Sequence, residues 1–312
     1  MTANPGVVAQ SRIRKARLRH GLRNTAIGFA VLGLVLTMDG LLGVFYSTST
    51  EGRVIVTPSQ SSVPRQAIVV FPGYVMSGQV LAEAFAPYLR ADDAMLTVQY
   101  AQRGVDMDRL YQAVMVQLKR LAPSRLRIYG ASMGGLCANE FLDRYARDGS
   151  PYGEPVLVLD TAPSGTASIK RPGFSFGLAS WYRGGPLTSL LWAWGSGLVA
   201  SPPAEAGANR SLIARGRNAG EWAGMPALTS QAAFMGQLPP RPAFSSKASA
   251  RVVYLHGSNP QDDPLIRINR AVEDWRNTFP AMTVNVIRGR AGSWHIPLVE
   301  RPRETMEALL GA

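Results

Sequence analysis

Short apolar runs alternate with amphipathic stretches along most of the chain. β-favouring runs occur at Ala67 to Phe71, Met95 to Tyr100, Leu126 to Tyr129, Pro155 to Leu159, Val252 to Leu255 and Thr283 to Ile287. They are almost continuously apolar, the pattern of strands covered on both faces. Between them, apolar positions recur at helical spacing. Gln79 to Leu89 places Val80, Leu81, Ala84, Phe85, Tyr88 and Leu89 on one side. Met107 to Leu121 does the same with Leu110, Val114, Leu118 and Leu121, and stops before Pro123. Ala138 to Tyr145 and Leu265 to Trp275 read as further helices. The alternation predicts an α/β fold with a mostly parallel central sheet and helices on both faces. A shorter β-like run, Arg53 to Val56, lies in a polar stretch from Ser47 to Arg65.

Two segments break this rhythm. Thr161 to Ala250 separates two strands and contains Trp181, Tyr182, Trp192, Trp194 and Trp222 together with an apolar run, Leu187 to Val199. An insertion of that length is expected to carry structure of its own. It predicts a helical cap, 161–250, over the carboxyl ends of the strands, with most of its tryptophans packing it on the body. The other segment is Thr25 to Tyr46, TAIGFAVLGLVLTMDGLLGVFY, with one charge, Asp39, and no proline. As a helix it would rise about 33 Å, enough to cross the hydrocarbon core of a bilayer. Asp39 opposes that reading by about 2.5–3.5 kcal/mol near mid-helix. It lies toward the end of the segment, where partial hydration is expected. The competing readings are a cleaved signal peptide with its apolar core at Ala26 to Leu36, although Tyr46 to Thr50 offers only a loose cleavage site, and a buried helix of a soluble protein.

Composition changes the picture in one respect. The 312 residues carry 33 Lys and Arg against 21 Asp and Glu, a net charge of +12. Six of those cations, Arg12, Arg14, Lys15, Arg17, Arg19 and Arg23, precede the apolar segment, and no acidic residue accompanies them. The excess is therefore an orientation signal, with residues 1–24 cytoplasmic and the rest exported. The remaining excess is scattered and forms no basic stripe with stacking aromatics, which argues against nucleic acid as a partner. A single cysteine, Cys137, excludes an internal disulfide and a cysteine-built zinc site. No metal or cofactor is implied by any motif. The expected organisation is 1–24 basic segment, 25–46 transmembrane signal-anchor, 47–65 linker with a first strand, and 66–312 a catalytic domain containing the cap.

The chemistry concentrates at Leu126 to Gly135, LRIYGASMGG. Gly130-Ala131-Ser132-Met133-Gly134 fits G-x-S-x-G between an apolar strand and a helical pattern, the setting of a nucleophile elbow. A serine there projects above the sheet, and the following helix N-terminus favours developing negative charge. On this motif, its setting and the order of elements, the chain from about Gln66 to the C-terminus resembles the α/β-hydrolase superfamily. The resemblance implies an α/β-hydrolase fold and a Ser…Asp…His order of catalytic residues.

A serine hydroxyl needs a base. Of three histidines, His20 lies in the basic segment, His256 ends an apolar strand, and His295 follows the last strand in Gly292-Ser293-Trp294-His295-Ile296-Pro297. The resemblance places the base at His295; His256, expected to be structural at its strand end, is the competing candidate. The run Asp263-Pro264-Leu265-Ile266 resembles the acid loop of the superfamily and assigns Asp263, with Asp262 and Asp160 as alternatives. The resemblance also assigns oxyanion donors to the backbone N–H of Met133 and of Tyr74 in Phe71-Pro72-Gly73-Tyr74. Many relatives have His-Gly where this chain has Pro72-Gly73, so the support of that loop must differ here. Cys137, five residues past Ser132, is expected to be buried packing. These features imply a membrane-anchored extracytoplasmic serine hydrolase acting on a carboxylic ester, lipid-like if the apolar cap contacts it. An envelope acyltransferase with the same triad, or a non-catalytic binding module on the same fold, are the alternatives.

Overall fold

A computed structural model describes residues 5–47, 51–74, 76–170, 177, 179–195, 225–239, 249–261, 263, 265–287 and 302–311. The first element, α1 (Pro5–Tyr46), is one long helix that continues upstream of the apolar segment. Its stretch Leu22–Tyr46 is long and apolar enough to cross a membrane. Then follow β1 (Arg53–Thr57), β2 (Gln66–Phe71), α2 (Gly78–Phe85), β3 (Asp93–Gln99), α3 (Met107–Leu121), β4 (Leu126–Ala131), α4 (Met133–Arg147) and β5 (Val156–Asp160). Two cap helices come next, α5 (Pro186–Gly195) and α6 (Met225–Gln237). The chain closes with β6 (Arg251–Gly257), α7 (Ile268–Thr278), β7 (Thr283–Ile287) and α8 (Pro302–Gly311).

The strands form one sheet in the order β1-β3-β2-β4-β5-β6-β7. Only β1 runs antiparallel, on β3, and every other pair is parallel. Alternate residues of the inner strands β2 to β6 enter opposite cores, which is why those runs read as continuously apolar. In β2, Ala67, Val69 and Phe71 join a core with α3, α4 and α7 that includes Leu110, Phe141 and Trp275. Ile68 and Val70 face the other core, with Leu81 and Phe85 of α2 and Met306 and Leu309 of α8. Fully burying side chains of this size contributes about 1.5–3 kcal/mol each.

Helix ends explain several boundaries. Asp106 caps α3 by accepting from the N–H of Asp108 and Arg109, and Ala122 ends it in the left-handed conformation just before Pro123. In β4, the mostly buried Arg127 donates to Gln66 Oε1 at 2.8 Å and to the carbonyls of Leu309 and Leu310. It thereby satisfies the orphan carbonyls at the end of α8.

The cap has its own small core of Ala179, Tyr182, Trp192, Ala193, Ala232 and Ala233. Trp192 is buried within this cap core rather than in the cores of the body, and Trp181 is 57% exposed. Trp194 and Trp222 lie outside the residues whose side chains are described. Asp39 departs from expectation. It is not hydrated but buried, at 3% exposure. Its carboxylate accepts from the N–H of Leu187 (2.6 Å), the N–H of Thr188 (3.1 Å) and the hydroxyl of Thr188 (2.7 Å). Helix α5 begins Gly185-Pro186, with no side chain at its N-cap, and the carboxylate of α1 fills that place.

Candidate active site

The strand order reverses at β2: the chain moves outward to β3, then crosses back to β4 on the other side. The loops leaving β2 and β4 therefore diverge above a crevice at the carboxyl edge of the sheet. Ser132 leaves β4 at that crevice, with φ +47° and ψ −120°. This left-handed backbone is strained for a serine, by about 1–3 kcal/mol. Its surroundings hold it there. Its N–H donates to Asp160 O at 2.8 Å, and its carbonyl accepts from Gly135 N–H at 2.9 Å. Three glycines make the sharp turn possible. A Cβ on Gly130 would come 2.5 Å from Gly134 O, one on Gly134 would come 2.1 Å from Phe71 O, and one on Gly135 would come 2.2 Å from Ala162 Cβ. Helix α4 thus starts at Met133, five residues before the apolar spacing alone indicates, with Ser132 in its N-cap position.

The loop after β2 lies against that turn. Phe71 O and Pro72 O crowd the place a Cβ on Gly134 would take, and Met76 N–H closes the turn onto Gly73 O at 3.1 Å. Pro72 O accepts from the Tyr100 hydroxyl at 2.9 Å. This buried tyrosine at the end of β3 supplies support for the loop, which lacks the histidine of the resembled pattern. Tyr74 is half-buried against the cap cluster and the main core.

The sheet register sets three strand ends in line. Ala131 pairs with Asp160, and Asp160 with Leu255. Ser132, Thr161 and His256 are then the next residues along three adjacent strand ends. Asp160 is fully buried, and its Oδ2 accepts from the Tyr129 hydroxyl at 2.5 Å. Asp263 is 1% exposed, and its Oδ1 accepts from the N–H of Leu265 (2.8 Å) and Ile266 (2.7 Å). Both carboxylates act on Tyr254. Burial first, then Asp263 and Asp160, hold its phenol well above the ordinary value.

No protein-family model matches the chain, and no curated protein matches it in sequence. Solved structures do match in architecture. A type II thioesterase, BorB from the borrelidin biosynthetic cluster, is 17% identical with a TM-score of 0.55, over 83% of this chain and 95% of that one. The enol-lactonase from Burkholderia xenovorans LB400 is 14% identical with a TM-score of 0.59, over 83% and 95%. The esterase RhEst1 from Rhodococcus sp. ECU1013 is 16% identical with a TM-score of 0.56, over 83% and 93%. The chain has the α/β-hydrolase fold.

Within this hydrolase fold, Tyr74, Ser132 and Asp263 lie on loops or turns at the carboxyl edge of the sheet, and Met133 opens α4 there. His295 and Asp262 lie outside the described residues. The chain enters 288–301, which contains His295, from the end of β7, where Ile287 pairs with Gly257. His256 is largely buried, and its Nδ1 donates to Gly257 O at 2.6 Å. Cys137 is fully buried beside Tyr100, and burial pushes its thiol up to about 12. Among the described residues, no three His, Cys, Asp or Glu side chains are grouped to hold a metal ion. Sequence reasoning missed Tyr100 and Tyr129. Both end or interrupt apolar strands with a polar tip, which a buried strand tolerates only when that tip finds a partner.

Proposed function

We propose that the protein is a membrane-anchored serine hydrolase that cleaves a carboxylic ester through Ser132. The observation that carries this reading is the Ser132 backbone, left-handed in a turn where glycines at 130, 134 and 135 leave no room for a Cβ. A purely structural serine gains nothing from that strain. Ser132 Oγ attacks the ester carbonyl carbon while His295 takes its proton. The Met133 and Tyr74 N–H groups stabilise the oxyanion, at the positive end of α4. His295 then protonates the departing alkoxide, and water attacks the acyl-enzyme to release the acid and restore Ser132.

Asp263 suits the acid role better than Asp160. Two backbone N–H groups fix one of its oxygens, whereas the Asp160 carboxylate is tied to Tyr129 beneath the turn. The basic residues in the upstream part of α1 and the apolar stretch Leu22–Tyr46 support an anchor with the domain outside the cytoplasm. The ester and thioester chemistry named for the structural neighbours supports the reaction class.

The test is labelling by a fluorophosphonate and turnover of p-nitrophenyl esters from acetyl to palmitoyl. Ser132→Ala abolishes both. His295→Ala lowers turnover by about 10⁴–10⁶-fold. Asp263→Asn lowers it by about 10⁴-fold, and Asp160→Asn by far less. Folded protein that neither takes the label nor turns over any ester sinks the proposal and favours a binding module. Transfer to an added alcohol in excess of hydrolysis would redefine it as an acyltransferase.

A further inference from the structure

The junction between α1 and the cap is more than a tether. Besides the three bonds to Asp39, the Tyr46 hydroxyl donates to Ser189 Oγ (3.3 Å), and Ser47 Oγ donates to Gly184 O (2.5 Å). Arg103 donates to Gly43 O at 2.9 Å. Gly43 and Gly184 approach so closely that a Cβ on Gly43 would sit 2.8 Å from the Gly184 backbone. The last two turns of α1 and the first turn of α5 are therefore one packed unit.

Helix α5 shows an inverted pattern. Its polar Thr188 and Ser189 are buried with Trp192 and Ala193, while Leu187, Leu190 and Leu191 are 42%, 59% and 59% exposed. Trp181, just before it, is 57% exposed. Trp181 and Arg183 line a cleft of about 260 Å³ with Leu36, Asp39, Gly40 and Thr188 at the seam. Tryptophan and arginine are residues favoured at the headgroup level of a bilayer. The exposed leucines continue the apolar surface of α1, where Met38, Leu41, Leu42 and Phe45 are also exposed.

Depth follows from helix geometry. Asp39 lies seven residues before the end of α1, about 10 Å along its axis. The 25-residue stretch Leu22–Tyr46 would be about 37 Å long, against a hydrocarbon core of about 30 Å. A helix start held at Asp39 is then held within the outer boundary of the bilayer, not above it.

We propose that the outer face of α5, with Trp181, is a lipid-contacting surface, and that Asp39 seats the cap in the outer leaflet. The partner is the acyl-chain and headgroup boundary of the membrane that α1 crosses. The proposal rests on the reading of α1 as a membrane span. It places the cap where an apolar ester could pass to it from the bilayer rather than from water.

The test uses the full chain in phosphatidylcholine vesicles, with and without acyl-chain bromines that quench an attached NBD fluorophore. The one native thiol, Cys137, is fully buried, so an introduced surface cysteine takes the label. Three variants are compared: Leu190→Cys on α5, Leu32→Cys in mid-anchor, and Val116→Cys on the exposed face of α3. Emission at 190 is expected to be lost to a degree comparable with 32, with none lost at 116. Adding Asp39→Ala should restore emission at 190 and leave 32 quenched. Quenching at 32 without quenching at 190 overturns the proposal and keeps the anchor. Quenching at neither overturns both. Quenching at 190 that survives Asp39→Ala overturns the role given to Asp39.

Discussion

Replacing Gly134 by alanine sets two expectations in direct opposition. Gly134 lies in the first turn of α4, and local propensity favours alanine over glycine in a helix by about 1 kcal/mol. The fold opposes it. The new Cβ would stand 2.1 Å from Phe71 O and 2.5 Å from Pro72 O. Ordinary contact begins near 3.4 Å, so the two chains must part by more than an ångström. Both obstacles are backbone atoms, so no side chain can turn aside. Overpacking of this kind costs about 1–3 kcal/mol, which leaves a modest net loss of stability. The effect on turnover is larger. The atoms forced back belong to the loop that carries the Tyr74 N–H, the proposed oxyanion donor, and displacing one such donor costs about 100- to 1,000-fold. Gly134→Ala should therefore melt within a few degrees of wild type yet hydrolyse a p-nitrophenyl ester at least about 100-fold more slowly in kcat. Calorimetry and steady-state kinetics on the same preparation measure both. Wild-type kcat in this variant would show that the loop after β2 takes no part in the reaction.

Tyr100→Phe removes the bond to Pro72 O and leaves that carbonyl without it; kcat should fall about tenfold, the equivalent of about 1.4 kcal/mol, with KM nearly unchanged. Asp39→Ala removes a helix cap worth about 0.5–2 kcal/mol. In detergent it should lower the melting temperature by about 2–8 °C, and an unchanged value would refute the capping role. Stability should fall as pH rises from about 9. Cys137, Tyr100, Tyr129 and Tyr254 all have raised folded values, so the unfolded chain releases these protons first, and the stability they contribute is full below that range and lost as pH rises through it. Urea midpoints measured from pH 7 to pH 11 should be flat and then decline. At pH 8 a thiol reagent should modify Cys137 only after unfolding.

The inner strands β2 to β6 were legible because they are buried on both faces and so carry nearly uninterrupted apolar runs, whereas the edge strand β7, TVNVI, showed itself by β-branched residues although it is mostly exposed. Thr283–Ile287 and Met107–Leu121 have the ends that the sequence indicates. Helix α4 was read too short because its first turn, Met133-Gly134-Gly135, contains poor helix formers. Those glycines answer to the neighbouring loop and strand, not to the helix. The upstream half of α1 was not read because Pro5 to Arg23 has no apolar periodicity. Helix α8 carried a signal that went unread, Pro302 at its start and Met306, Leu309 and Leu310 at helical spacing. Ser132 was legible because a strand, a turn and a helix are local patterns. The pairings of Tyr100 with Pro72, Tyr129 with Asp160 and Asp39 with α5 were not. Each joins residues 28 to 149 positions apart, and only the packed fold brings them together.

The separation of Asp39 from its partners also imposes an order of events. Leu187 is made 148 residues after Asp39, a delay of about 7–30 s at ordinary rates of synthesis. Throughout that interval an inserted α1 holds a carboxylate that opposes insertion by about 2.5–3.5 kcal/mol. In the topology proposed above, that opposition is offset only when the domain has folded and α5 has docked. The final seating of the proposed anchor would then be a late product of folding, and a cap that fails to fold would leave behind an anchor that is easier to extract.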